Sequence, residues 1–391
     1  MPEDEGERTV DVREQGNATG GRAAWGDAVA RRARVRGALL GGAVGDALGN
    51  PVEFLSLGGI RRAYGERGVR EPVADADGVV GRITDDTQMT LFTVEGLIRA
   101  HARARSKGAG GSETALVRHA YLRWLDTQNH PAPPTRGGEN AVRTGWLRQQ
   151  PWLYARRAPG NACLTGLAAG HVPGADAPFD VPGPVNPHSK GCGTVMRSAP
   201  FGLLGADAPK GFELAARCAQ ITHGHPTGAY AAGALAAIVT HLLEGDSPAG
   251  AVLRAMDLLA RHRGHEETTA ALRAAVDLAA RGRPTAERVE SLGAGWVAEE
   301  ALAIAVYCTL VLPGSDDVAE ALLLSVNHSG DSDSTGSVCG NLLGAHHGDV
   351  ALPASWLAPT EGRAVIAELA DDLCMELEQP VVWPDGRYPQ Y

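Results

Sequence analysis

Apolar side chains recur at three- and four-residue intervals along most of this chain. Between residues 211 and 222, Phe212, Leu214, Ala215, Cys218 and Ile221 fall on one face of a helix. The same spacing predicts helices over roughly 28–47, 86–105, 112–127, 196–205, 211–222, 227–243, 247–262, 265–281, 297–311, 316–327, 335–346 and 361–378. Strict alternation, the mark of a half-buried strand, is hard to find. Small residues on many of these helices let them pack closely. The pattern predicts an all-α fold, a compact globular multi-helix bundle. No break in composition forces a domain boundary, so one domain is expected over 29–380. A disordered N-terminal tail is expected over 1–28 and a C-terminal tail over 381–391.

Composition narrows the classes. The chain has 391 residues, of which 44% are hydrophobic and 21% charged, enough for a large core. Its formal net charge is −10 and no basic stripe appears, so extended nucleic-acid binding is not expected. Six scattered cysteines form no CxxC pair, which argues against a zinc site or disulfide frame and for a reducing cytoplasm. The charged N-terminus lacks the apolar segment of a signal peptide. The uncharged run from Pro226 to Leu243 is nearly long enough to span a bilayer, but it is mostly Ala and Gly with His241 inside. A buried core helix is the expectation, with no membrane partner. A monomer is expected.

The chemistry is concentrated in a few polar knots. Asp331-Ser332-Asp333-Ser334-Thr335 opens onto an apolar run, and so does Thr84-Asp85-Asp86-Thr87. One oxygen suffices to cap a helix. Adjacent carboxylates repel, and facing an interior they call for a cation of the oxygen-preferring kind. Gly41 to Gly49 thins a helix for close approach, and Pro51 ends it just before Glu53. Two long irregular stretches run over 128–138 and 171–193. The second closes with Ser189-Lys190-Gly191-Cys192-Gly193-Thr194 ahead of a helix, where backbone amides can meet an anion. His223 and His225 flank Gly224 at a turn between helices, placed for capping or for donating to a ligand.

Taken in order, these patches resemble the ADP-ribosylglycohydrolase family. The carriers are Gly-Asp-Ala-Leu-Gly-x-x-x-Glu at 45–53, Thr-Asp-Asp-Thr at 84–87, Gly-x-Gly-x-x-Met-Arg at 191–197, Thr-His at 222–223 and Gly-Asp-x-Asp-Ser at 330–334. The resemblance implies an all-α bundle with two Mg²⁺ or Mn²⁺ ions in a cleft. Thr84, Asp85, Asp86, Asp331, Asp333 and Ser334 would be the metal ligands, with Thr335 an alternative to Ser334. Ser189, Gly191, Cys192, Gly193, Thr194 and Met196 would bind ADP-ribose, with His223 donating nearby. Many relatives carry Asn where this chain has Cys192. Glu53, Asp85 and Asp333 would carry the catalysis. Cleavage at ribose C1″ passes through an oxocarbenium-like state. A divalent ion acidifies the attacking water, and Glu53 would orient that water or protonate the leaving group.

The implied partners are ADP-ribose and an ADP-ribosylated substrate whose linkage to arginine, serine, an acetyl ester or a nucleobase stays open. The same carboxylates could serve a phosphohydrolase acting on a nucleotide diphosphate, or an ADP-ribose-binding protein without catalysis. The aromatic stretch Trp146, Trp152, Tyr154 and the 128–138 loop are candidates for the rim of the site.

Overall fold

A computed structural model describes residues 13–108, 110–134, 142–205, 207–379, 381–384 and 386–390, with side chains from Gly26 onward. Each helix that the periodicity predicts is present. They are α1 (Arg13–Gly49), α3 (Asp85–Lys107), α4 (Glu113–Asn129), α6 (Ala199–Leu203), α7 (Ala208–Ala219), α8 (Pro226–Leu243), α9 (Pro248–Leu259), α10 (Glu266–Ala279), α12 (Ala298–Val311), α13 (Val318–Val326), α14 (Ser332–His347) and α16 (Arg363–Glu378). The short α2 (Leu57–Tyr64), α5 (Asn161–Ala168), α11 (Ala286–Glu290) and α15 (Ala354–Leu357) were not legible. They hold too few turns for a period to register. Among the described residues there is no strand, only two isolated bridges, Ala74 with Val80 and Gly191 with Val297.

One expected helix boundary changes. Helix α1 begins at Arg13 rather than near 28, and residues 1–12 lie outside the described residues. Beyond that extension α1 is tied down by its arginines. Arg31 donates to the Leu203 carbonyl at 3.1 Å and Arg34 to the Leu243 carbonyl at 3.3 Å. At the other end, Trp383 and Tyr388 pack on α16. Tyr388 is buried and donates to Asp372 at 2.6 Å, and Trp383 Nε1 donates to Glu376 at 2.6 Å.

The core helix α8 is 89% buried along Pro226–Leu243, enclosed chiefly by α6, α7, α9, α12 and α14. Its apolar run is a core helix here. The most intimate pairing is α1 with α14, which run antiparallel. Gly37, Gly41 and Gly45 meet Gly344, Gly340 and Gly336, and Gly49 meets Ser332. A Cβ at any of these glycines would lie closer than 3.0 Å to the opposing backbone, so only glycine permits the approach. This seam carries the start of α14, with Asp331 and Asp333, to the end of α1, where Glu53 follows.

Candidate active site

Four chain segments converge on one cleft of about 280 Å³. The end of α1 passes through a 3-10 turn, Asn50–Val52, opened by Pro51 at its start, and delivers Glu53. The start of α3 contributes Asp85 and Asp86, and the start of α14 contributes Asp331, Asp333 and Ser334. The loop before α6 adds Ser189, Gly191, Cys192, Gly193 and Met196, with His223 behind it. Of the residues expected to hold metal, bind ADP-ribose or carry the catalysis, all but Thr84 and Thr194 line this cleft. Those two are buried beside it. The Thr84 side-chain oxygen accepts the Asp86 amide at 3.4 Å, and Thr194 donates to the Gly191 carbonyl at 3.2 Å.

The two acidic helix starts are held differently. At α3 the capping is done largely by Asp46, which is fully buried on the last turns of α1. It accepts the amides of Thr84 at 3.0 Å and Thr87 at 3.1 Å, and the Thr87 hydroxyl at 2.5 Å. Asp85 and Asp86 are thereby spared from capping. At α14, Asp331 occupies the N-cap position, yet its side chain makes no capping bond. Its amide is held instead, donating to the Ala294 carbonyl at 2.8 Å. Thr335 turns away from the cleft. Its hydroxyl lies 2.7 Å from the Ser325 carbonyl and 2.9 Å from the Asp331 carbonyl, whereas Ser334 lines the cleft.

Electrostatically, the cluster is unfinished. Oxygens of Glu53, Asp331 and Asp333 lie within 4.8 Å of one another, all buried. Among the described residues no lysine or arginine lines the cleft. Burial, then the charges of Asp333, Asp331, Asp85 and Asp46, push Glu53 up to about 10. Burial and Asp333 push Asp46 up to about 7, against the hydrogen bonds from Thr87 and Thr84. Asp85, Asp86 and Asp331 are held well above the usual carboxylate range, by burial first and by Asp333 second. Asp86 Oδ1 and Asp331 Oδ2 are buried with no hydrogen-bond partner. Orphaned oxygens among repelling carboxylates are the donor set that a hard divalent cation satisfies. Cys192 lies against Asp331 and Ser334, and burial, then Asp331 and Asp86, hold its thiol well above its ordinary value.

The opposite wall is built for an anion. In the Gly191–Thr194 loop the Cys192 amide is taken by the Trp296 carbonyl at 3.1 Å and the Thr194 amide by the Gly191 carbonyl at 3.3 Å. Among the described residues the Gly191 and Gly193 amides have no protein acceptor, which leaves them for a ligand. A Cβ at Gly193 would strike Cys163 Sγ at 2.8 Å and the His223 ring at 3.1 Å. Lys190, paired with Glu267 and Glu299, ties the loop to α10 and α12. His225 Nδ1 caps α8 by accepting the Thr227 amide at 3.2 Å.

Some site residues were missed. Asp46 stands inside the Gly-Asp-Ala-Leu-Gly run but received no role, because capping across 38 positions is invisible locally. Trp296, at the end of a glycine-containing loop, lines the cleft, and its ring stacks on exposed Phe54 with centroids 5.8 Å apart. Gly160 and Asn161 at the start of α5 also line it. Glu53 and Ala158 separate the cleft from a second groove of about 370 Å³ lined by Phe54, Asp75, Arg82 and Arg156. The expected aromatic rim is elsewhere. Trp152 packs against Gly362, Tyr154 donates to the Arg148 carbonyl at 2.8 Å, and Trp146 stands edge-on to Tyr388. None of the described residues of the 128–138 loop lines the cleft; residues 135–141 lie outside the described residues.

An all-α bundle that closes a carboxylate cluster against a glycine loop defines a class, and comparison with known proteins gives it a name. The family model described as ADP-ribosylglycohydrolase matches residues 27–381, and the chain belongs to that family. The ADP-ribosyl-[dinitrogen reductase] glycohydrolase of Rhodospirillum rubrum is 26% identical over 330 residues, covering 83% of this chain and 89% of that protein. The human ADP-ribosylhydrolase ARH3 is 30% identical over 210 residues, covering 47% of this chain and 58% of the human one. A solved structure titled ADP-ribosylglycohydrolase-related protein complex superposes with a TM-score of 0.59 at 26% identity, covering 88% of this chain and 98% of the other.

Proposed function

We propose that this protein is a divalent-metal-dependent hydrolase that cleaves at ribose C1″ and releases ADP-ribose from an ADP-ribosylated target. The observation that carries the reading is the pairing, in one cleft, of a buried carboxylate cluster with no lysine or arginine among the described lining residues and a glycine loop with free amides. Asp85, Asp86, Asp331, Asp333 and Ser334 would hold two ions, Mg²⁺ or Mn²⁺, with Thr84 beside Asp86. When bound, such ions supply positive charge to the distal ribose hydroxyls and acidify water for attack. The Gly191 and Gly193 amides and the His223 ring would bind the diphosphate, as backbone donors at a helix entrance do. Ser189, Cys192 and Met196 would close the walls around it, and Thr194 would hold the loop turn. Glu53 stands between the cleft and the second groove, where it can exchange a proton with the attacking water or the departing group. The remainder of the target would lie in that second groove, past Phe54.

Release of free ADP-ribose tests the reading. ADP-ribosylated arginine, ADP-ribosylated serine, O-acetyl-ADP-ribose and an ADP-ribosylated nucleobase are each incubated with Mg²⁺ or with EDTA. Metal-dependent release from one of them is expected and names the linkage. AMP plus a ribose phosphate as products would instead identify a phosphohydrolase. The absence of both release and binding of ADP-ribose would overturn the assignment.

A further inference from the structure

We propose that Arg197, acting through Thr222, fixes His223 as a neutral ring with its proton on Nε2, aimed at the anion-binding loop. The ligand half of this inference rests on the ADP-ribose reading above; the tautomer half does not.

Arg197 is an unusual buried cation in this fold. It is 1% exposed, and among the described residues no carboxylate lies within ion-pair distance of it. Other deeply buried arginines do have such a partner: Arg99 and Arg123 face Glu95, and Arg148 faces Asp126. Arg197 instead lies over the Tyr121 ring, 4.6 Å from its centroid, and donates to Cys163 Sγ at 3.3 Å and Thr222 Oγ1 at 2.6 Å. A buried charge without a counter-ion is costly, and a ligand of opposite charge relieves it.

The proton positions follow from what each group can do. A guanidinium only donates, so the Thr222 oxygen accepts from Arg197. The hydroxyl then has a single hydrogen to give. Its candidates are His223 Nδ1 at 2.7 Å and the Ala219 carbonyl at 3.5 Å, and the shorter bond takes it. Nδ1 is therefore an acceptor, and the ring proton sits on Nε2. Burial, and then the charge of Arg197, hold His223 down at about 3, so the ring is neutral at physiological pH. His223 Nε2 lies 3.3 Å from where a Gly191 Cβ would sit, and Cε1 lies 3.1 Å from a Gly193 Cβ. The Nε2–H thus joins the two free glycine amides as a third donor. Cys163, which touches both Arg197 and the Gly193 position, places the guanidinium directly behind the loop. Arg197 and Thr222 do not line the cleft, so they are positioning residues.

The test is long-range ¹H–¹⁵N NMR on protein labelled at histidine, with ADP-ribose affinity measured by calorimetry. The wild type is expected to show His223 as a single Nε2–H tautomer. Thr222→Ser, which retains the hydroxyl, should keep that signature. Thr222→Val, of the same shape, should lose it and weaken ADP-ribose binding about tenfold or more, the scale of one hydrogen bond to a charged group. With substrate, KM should rise more than kcat falls. An Nδ1–H tautomer in the wild type would overturn the relay, and so would a Thr222→Val protein with the wild-type tautomer and affinity. A wild type with the Nε2–H tautomer that binds no ADP-ribose would leave the relay standing and remove the ligand assignment.

Discussion

Helix α3 buries carboxylates at two places and treats them in opposite ways. At Glu95 the side chain is completely enclosed and fully paired, accepting from Arg99 at 2.8 Å and from Arg123 Nε of α4 at 2.8 Å. At its first turn, Asp85 and Asp86 are almost as deeply buried, yet they face Asp331, Asp333 and Glu53, and among the described residues no lysine or arginine lines the cleft. The chain has the arginines to neutralise a buried acid and uses them elsewhere too, as at Asp126 with Arg148 and Glu376 with Arg105. Desolvating a carboxylate without compensation costs several kcal/mol, so an unneutralised cluster persists where it is used. The contrast is what supports our proposal that the cleft is completed by a bound cation. Arg197, the buried arginine without an acid, is the same lesson with the sign reversed.

The strongest way to break this contrast is to remove one cleft charge. Asp331→Asn and Asp85→Asn should each abolish metal-dependent ADP-ribose release, beyond the ~10–100-fold loss typical of changes outside the ligand shell. Their unfolding midpoints in EDTA should equal or exceed that of the wild type, since a repelling charge has gone. Full activity in both variants would sink the metal assignment. Next, Glu53→Gln should slow turnover by about 10²-fold, the lower range for a general acid or base. It should weaken ADP-ribose binding far less, and a binding loss equal to the rate loss would remove its catalytic role.

Glu95→Gln should behave in the opposite manner. Leaving Arg99 and Arg123 half-paired should cost about 3–5 kcal/mol of stability, read from urea unfolding. Metal affinity per folded molecule should be unchanged; an Asp331→Asn protein destabilised as much would erase the distinction between the two regions.

The smallest effect is a pH dependence. The folded-state value of Asp46 is raised to about 7, so its contribution favours folding at low pH and is lost as pH rises from about 4 through 7. Asp85, Asp86 and Asp331 shift in the same direction. Added Mg²⁺ should therefore raise Tm more at pH 8 than at pH 5, by about 1 °C for each ~1 kcal/mol in a chain of this size. An equal gain at both pH values would separate metal binding from these carboxylates.

Much of this was legible beforehand because its physics is local. Apolar periodicity located the long helices, and the two acidic knots announced themselves because adjacent carboxylates exceed what a cap requires. Where reading failed, the cause was distance along the chain. The aromatics Trp146, Trp152 and Tyr154 had the right chemistry for a rim, but they pack against Tyr388, Gly362 and the Arg148 backbone. Phe54 and Trp296 took that place because the α1 end and the loop before α12 happen to meet there.

By itself the sequence determined the helical class, the order of the helices and the identity of the cleft chemistry, since turns, caps and amphipathic spacing are set by residues a few positions apart. Only the tertiary structure decided which carboxylates receive an arginine and which are left without one. It also decided that Asp46, not Thr84 alone, frees Asp85 and Asp86, and that His223 carries its proton on Nε2. Each outcome depends on groups tens or hundreds of positions apart. The glycine seam of α1 and α14 brings such groups together, because two backbones without side chains between them can approach to contact.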